Sequence, residues 1–464
     1  MSYPYRSLSF DMFRPMAART NPVNAYVLKS AAVAALGGLL FGFDTAVIAG
    51  TTRALSLTYQ LTPTWLGLTV ASALWGTITG AMFAGIPGDR YGRRDSLRAI
   101  AFLYLVSALG CAVAWNWGVL LFFRFVQGVA IGGSSVLGPV YIAEVSPPEW
   151  RGRLVGMFQF NIVLGILLAY FSNYTVGLMQ LGEGEWRWKL GVSAVPAAFF
   201  LGMLFSIPRS PRWLVKKSRI MDAGEVLRRT GREHYQLELE QIVTSIDAEH
   251  ARGEGRLFRR KYRFPIFLAV FIAVFSQLSG INAILYYLND IFERAGFSKV
   301  SGDLQAVAIG ATNLVFTVIA MSVIDRIGRK TLLLAGSAGM ALCQAGVAAI
   351  LFTGKRESLL VWLLIGFIAS FAFSLGAVVW VYLSEIFPNR VRAKGQSLGS
   401  FAHWVANALI SGLFPLMAAS SGGAPFVFFS LMMVVQFLVV WRIYPETKGV
   451  TLEAMEKKIV ASGG

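Results

Sequence analysis

Twelve apolar runs, each about 20 residues long, divide the 464-residue chain and decide most of what it can fold into. A helix of that length crosses the roughly 30 Å hydrocarbon core of a bilayer with every backbone N–H and C=O bonded internally. The runs fall near residues 26–50, 65–86, 97–115, 118–143, 154–178 and 190–207, then 264–288, 304–324, 331–352, 359–387, 397–419 and 425–444. The predicted fold is an all-α polytopic membrane protein. Charged residues are only 14% of the chain, whereas a soluble domain is about a quarter charged. A water-facing surface would need more. Gly, Ser and Pro inside several runs are common in packed membrane helices.

The formal charge of +17 raises nucleic acid as a partner, yet the basic residues form no stripe interleaved with aromatics. They sit at the ends of the runs. An even number of spans puts both termini on one side. Assigning the connections alternately places about 34 of the 42 Lys and Arg on that side and about seven on the other, with Arg124 inside a run. The positive-inside rule then makes the termini cytoplasmic. Topology accounts for the charge, and no nucleic-acid partner is expected. The polar segment 1–25 reads as a tail and not as a cleaved signal. Cys111 and Cys343 lie in separate apolar runs and read as small hydrophobes. With His234, His250 and His403 the only histidines, no metal or cofactor is expected.

Residues 208–263 form a polar connection between two six-span halves, 26–207 and 264–444, with a tail at 445–464. The connection carries helical patterns at 222–230 and 237–248. Its basic residues gather at its two ends (Arg209, Arg212, Lys216, Lys217 and Arg259, Arg260, Lys261, Arg263), where anionic headgroups attract them. The halves repeat. Asp89-Arg90-Tyr91-Gly92-Arg93-Arg94 follows the second run, and Asp325-Arg326-Ile327-Gly328-Arg329-Lys330 follows the eighth. Tyr141-x-x-Glu144 with Arg151 is matched by Tyr382-x-x-Glu385 with Arg392. Two parallel repeats with a site between them at the midplane suit alternating access.

The segment Gly85-Ile86-Pro87-Gly88-Asp89-Arg90-Tyr91-Gly92-Arg93-Arg94, with its echo, resembles the signature of the major facilitator superfamily. A tight Gly-containing turn lets an Asp sit near a helix end and pair with Arg from neighbouring helices. Such pairs can latch the outward-open state, or the arginines can act as topological anchors alone. The echo has Met321 where the first Gly would stand. Pro139-Val140-Tyr141-Ile142-Ala143-Glu144, Arg151-Gly152-Arg153, Pro208-Arg209-Ser210-Pro211-Arg212-Trp213, Gln277-Leu278-Ser279-Gly280-Ile281-Asn282 and Pro445-Glu446-Thr447-Lys448-Gly449 are similar to sugar porter signatures. The resemblance runs from about Gly37 to Gly449 and is closest to the bacterial xylose– and galactose–proton symporters and the related facilitative glucose carriers. Arg209 stands where that family usually has Glu.

The resemblance implies a sugar site at Gln159, Gln277, Asn282, Tyr286, Asn313, Trp380, Trp404 and Asn407. Amides supply both donors and acceptors for hydroxyls, and indole supplies a flat apolar face. The alternative for any one amide is interhelical glue. Ile166 and Ser276 replace family glutamines, Ala377 replaces a proline, and His403 stands where Gln or Asn is usual, either donating to a hydroxyl or filling space. The expected charge network is Asp89, Arg93, Glu144, Arg151, Asp325, Arg329, Glu385 and Arg392.

Asp44 and Arg124 both fall inside runs. Intramembrane charges are costly and generally mark function. Proton-coupled members of the resembled family have Asp where Asp44 stands, and facilitative ones have Asn. An aspartate can carry a proton if its environment differs between two states; the alternative is a static ion pair. The sequence thus points to a monomeric proton-coupled importer of a hexose, pentose or polyol such as inositol in a bacterial inner membrane. No Walker motif is present. A facilitative uniporter and a membrane sugar sensor stay as alternatives, and no catalytic constellation is seen.

Overall fold

The computed structural model describes residues 24–230, 235–252, 257–356, 358–387 and 391–448, except for the side chains of 247–252, 261, 325 and 393. His234, the tails 1–23 and 449–464 and the Asp325 side chain lie outside that set. Among the described residues twelve helices are long and apolar enough to cross a membrane. The first six are Ala25–Gly50, Pro63–Phe83, Arg93–Ala112, Trp117–Val145, Arg151–Leu178 and Gly182–Ser206. The second six are Arg263–Tyr286, Lys299–Ile324, Arg329–Thr353, Ser358–Glu385, Lys394–Ser420 and Ala424–Ile443. They agree with the sequence reading to within a few residues, except that the sixth starts at Gly182 and not near 190. Glu185 and Lys189 made its first turns read as loop; both are buried, paired 2.8 Å apart.

Local chemistry sets many of the starts. Asn24 accepts from the Tyr26 N–H, Asn116 from Val119, and Ser298 from Ser301. Thr62 does the same for Trp65, ahead of Pro63 in the first turn. Each cap satisfies an N–H that the helix cannot. Among the described residues the seventh and tenth spans leave helical backbone geometry at depth. The seventh breaks at Ser279–Gly280, where Gly280 has φ of 77°. The Gln344 amide donates to the Ser279 carbonyl at 2.6 Å, so the break leaves no orphan there. The tenth breaks at Ser374 (φ −121°, ψ −94°). Irregular backbone at membrane depth belongs where protein or a cavity surrounds it.

The first span packs on the fifth and the second on the fourth. Between halves the second meets the eleventh and the fifth meets the eighth. At the face away from the 208–263 segment the halves touch backbone to backbone: a Cβ on Gly67 would stand 2.0 Å from the Gly412 carbonyl oxygen. Only glycine permits that approach. The signature repeat is also structural. Gly92 and Gly328 begin equivalent helices with φ of 95° and 101°. The 208–263 segment contains helices Pro211–Lys216, Ile220–Arg229 and Tyr235–Arg252. They share a small core of Trp213, Leu214, Val215, Ala223 and Ile246, and the Trp213 indole donates to the Asp89 carbonyl at 3.0 Å.

Candidate substrate cavity and coupling pair

A cavity of about 1460 Å³ separates the halves on the face that carries the 208–263 segment. Gly152 and Val155 at the start of the fifth span, Lys394 and Gln396 at the start of the eleventh, and Ile324 and Leu383 near other ends line its mouth. Gln159, Trp380 and Trp404 line it too, so three of the expected sugar contacts border the cavity. Trp380 is 40% exposed there. The His403 ring lies 5.0 Å from that of Trp380 and 5.4 Å from that of Trp404.

The other expected contacts gather into two small networks. The Gln277 amide donates to the His403 ring at 3.1 Å, and Gln277 Oε1 accepts from Asn282 at 2.8 Å. Ser276 Oγ lies 3.1 Å from His403 Nδ1. Two departures from the family pattern therefore face each other: a shorter Ser276 leaves room that the longer His403 fills with polar atoms. In the second network Asn407 donates to the Tyr286 hydroxyl at 3.4 Å and accepts from Ser411 at 3.0 Å. Asn313 is buried in the eighth span and does not line the cavity, though Thr317, about one turn on, does. Met321, the residue that broke the signature, lines the cavity as well.

Asp44 and Arg124 form an ion pair of 2.6 Å, both almost wholly buried. The Nε of Arg124 is buried with no partner among the described residues. Beside the pair is a space of about 10 Å³, roughly the room of one water. Thr45 and Thr77 line it, and so do Tyr286 and Trp404 from the other half. The charged pair of one half thus shares a pocket with two sugar-site candidates of the other.

Five of the eight residues expected in the charge network pair in two separate pieces. In the first half Arg93 pairs with Asp89 at 2.9 Å and with Glu144 at 3.1 Å, and Ser210 donates to Glu144 at 2.5 Å. In the second half Arg329 grips Glu385 with two bonds of 2.8 and 3.2 Å, and Thr447 donates to the same carboxylate. Arg151 is exposed, and Arg392 donates to its neighbouring Phe387 carbonyl at 3.4 Å. Among the described residues no ion pair of this network joins the halves. Arg209, the other departure, pairs instead with Asp95 at 2.9 Å.

Glu446 anchors the second piece by accepting the backbone N–H groups of Arg329, Lys330, Thr447 and Lys448, each at 2.9 Å. Burial pushes its pKa up, but these donors outweigh burial and hold it below the ordinary glutamate value. A lowered folded pKa contributes stability above the unfolded value that is lost as pH falls through the folded one. Glu446→Gln is expected to cost about 1 kcal/mol at neutral pH after solvent screening. The gap in melting temperature between the two proteins should narrow in acid; a gap constant with pH would contradict the role.

Sequence reading missed an ion cluster on the opposite face. Lys189 of the sixth span, fully buried, lies 2.8 Å from Glu185 and 3.6 Å from Asp303 of the eighth span, and donates to the Gly50 carbonyl at 3.2 Å. Lys299 closes on Glu185 at 2.7 Å, Asn289 donates to Asp303, and Arg53 pairs with Glu293 across the halves. The i,i+4 spacing of Glu185 and Lys189, around the apolar Trp186 and Leu190, was the available signal.

Two halves of six helices, open on one face, joined by cross-half ion pairs on the other and enclosing a cavity bordered by Gln159, Trp380 and Trp404, define a major facilitator carrier. Residues 30–459 match the family described as sugar (and other) transporter, and the chain belongs to that family; it is a transporter and not an enzyme. It is 36% identical to an arabinose-proton symporter of Bacillus subtilis over 93% of this chain and 95% of the relative. It is 35% identical to the D-xylose-proton symporter of Escherichia coli over 93% and 96% of the two chains. The inward-open xylose transporter XylE from E. coli superposes with a TM-score of 0.83 at 34% identity, covering 93% of this chain and 100% of that one. The same transporter bound to 6-bromo-6-deoxy-D-glucose gives 0.77, covering 93% and 99%.

Proposed function

We propose that the chain imports a monosaccharide together with a proton by alternating access, with Asp44 as the proton carrier. Proton-coupled sugar symport is the activity named for the arabinose and D-xylose relatives, and it is the function of this chain. The sugar lies in the cavity between Gln159, Trp380 and Trp404, reached by the Gln277–Asn282–His403 and Tyr286–Asn407 networks. The observation that carries the coupling is the one-water space shared by Asp44, Arg124, Tyr286 and Trp404. A sugar that moves Tyr286 or Trp404 changes the surroundings of the pair, and a proton on Asp44 releases Arg124. The two six-helix halves, 26–207 and 264–444, are the moving bodies, joined by the 208–263 segment. The basic residues at the ends of that segment support a cytoplasmic placement for it and for both termini, in a bacterial inner membrane. The reading is tested by uptake of labelled pentoses, hexoses and inositols into proteoliposomes, with and without an imposed pH gradient. Uptake that no gradient drives would overturn symport.

In this scheme the Lys189–Asp303 and Arg53–Glu293 pairs hold the outer face shut while the cavity opens inward. The split charge network on the inner face joins only when the carrier turns. Asp303→Asn keeps the shape and the amide partner but removes one countercharge of a buried lysine. It is expected to move the equilibrium toward the outward-open form by about 1–3 kcal/mol. Spin labels at Leu57 and Val300, on opposite halves of the outer face, should report a longer distance in the variant. An unchanged distance distribution would make the cluster structural only.

A further inference from the structure

A second groove, of about 720 Å³, runs along the start of the seventh span. It is lined by Arg263, Ile266, Phe267, Val270, Phe271, Val274 and Phe275, which recur every three or four residues and so share one helix face. Phe271 and Phe275 stack 4.0 Å apart at 15°, and Phe267 continues the ladder 5.7 Å from Phe271. Arg259, Arg260 and Arg263 line one end. All three are exposed, and among the described residues none has a carboxylate partner. Phe258, 80% exposed, lines the same end and also borders the central cavity.

The dimensions identify an occupant. From Arg263 to Phe275 the helix rises about 18 Å, close to the roughly 15 Å of one leaflet's hydrocarbon. Cations at headgroup depth and an apolar aromatic wall of one-leaflet length are the complement of an anionic phospholipid. A second copy is a poor fit, because two chains sharing one membrane orientation would set six arginine charges at the same depth. We propose that this groove is a binding site for one anionic phospholipid of the leaflet on the 208–263 side. Its phosphate lies against Arg259, Arg260 and Arg263, and an acyl chain lies along Phe267, Phe271 and Phe275. This is more than general attraction of a basic loop to a charged surface, since it fixes one lipid at one place.

The test uses the purified full chain in detergent, with dioleoyl phosphatidylglycerol or dioleoyl phosphatidylcholine added and bound lipid counted by native mass spectrometry. Three arginines, each adding about fivefold near an anionic headgroup, give an expected preference of roughly a hundredfold for the anionic lipid. R259Q/R260Q/R263Q should lose that preference while still exchanging sugar, and Phe267→Ser should weaken retention of the same lipid. Equal retention by wild type and the triple variant would overturn the proposal. So would full displacement of the lipid by excess inorganic phosphate, which would mark an anion site without a chain site, or a dimer that excludes lipid. If the triple variant does not fold, the chain carrying a photo-crosslinker at Val270 must label phosphatidylglycerol in vesicles in preference to phosphatidylcholine. Equal labelling, or none, refutes the site.

Discussion

Asp44→Asn is expected to exchange sugar across a membrane and to lose the ability to concentrate it. Asparagine has nearly the shape of a protonated aspartate but can neither release nor take up a proton. At one proton per sugar, an imposed difference of one pH unit supports about tenfold accumulation, so the accumulation ratio should fall from about ten to about one. The pH dependence of transport should flatten with it. Arg124, bonded to Asp44 at 2.6 Å in a site closed to solvent, would lose its countercharge. Breaking a buried pair in this way costs about 3–5 kcal/mol, partly relieved by the adjacent water-sized space. Lower yield of folded protein is therefore part of the expected result. Exchange and concentrative uptake must be compared in one preparation, because total activity alone confuses misfolding with uncoupling. A variant that still concentrates sugar would move the proton to another residue, with Glu144 and His403 the next to examine.

Trp380→Ala should weaken sugar binding by about 2–4 kcal/mol, roughly 30- to 1000-fold in Kd, while the protein stays folded in the membrane. Trp380 already stands 40% exposed on the cavity wall, so its loss opens no sealed core. That separates it from Trp404, which is buried against Phe41 at 5.3 Å and whose removal would disturb packing as well. His403, 5.0 Å from the Trp380 ring and held by Ser276 and Gln277, should transmit part of the effect to the amides behind it. Calorimetry across pentoses, hexoses and inositols gives the answer directly. An affinity that Trp380→Ala leaves unchanged for every sugar that wild type binds would take Trp380 out of the site.

Much of this molecule is readable in one dimension. Span length and apolarity are local properties, so all twelve helices were legible, and the signature repeat gave two halves without any contact being known. Asp44 and Arg124 were conspicuous because a charge inside an apolar run is rare and costly. What the sequence could not convey is which separated residues meet. Glu185 and Lys189 read as loop because charges raise the apparent polarity of a window. Their burial is tolerable only because Asp303 and Lys299, more than a hundred positions on, arrive beside them. Ser276 and His403 read as two separate losses of amide, yet 127 positions apart they complete one network. The pairing of the charge network was likewise undetermined. The same arginines and carboxylates can bond within a half or across the halves, and two packings of one sequence can differ by only a few kcal/mol. The local pattern of residues fixes helices and their depth; the choice between inward and outward forms is a small difference between large sums of long-range contacts, and only the tertiary structure decides it.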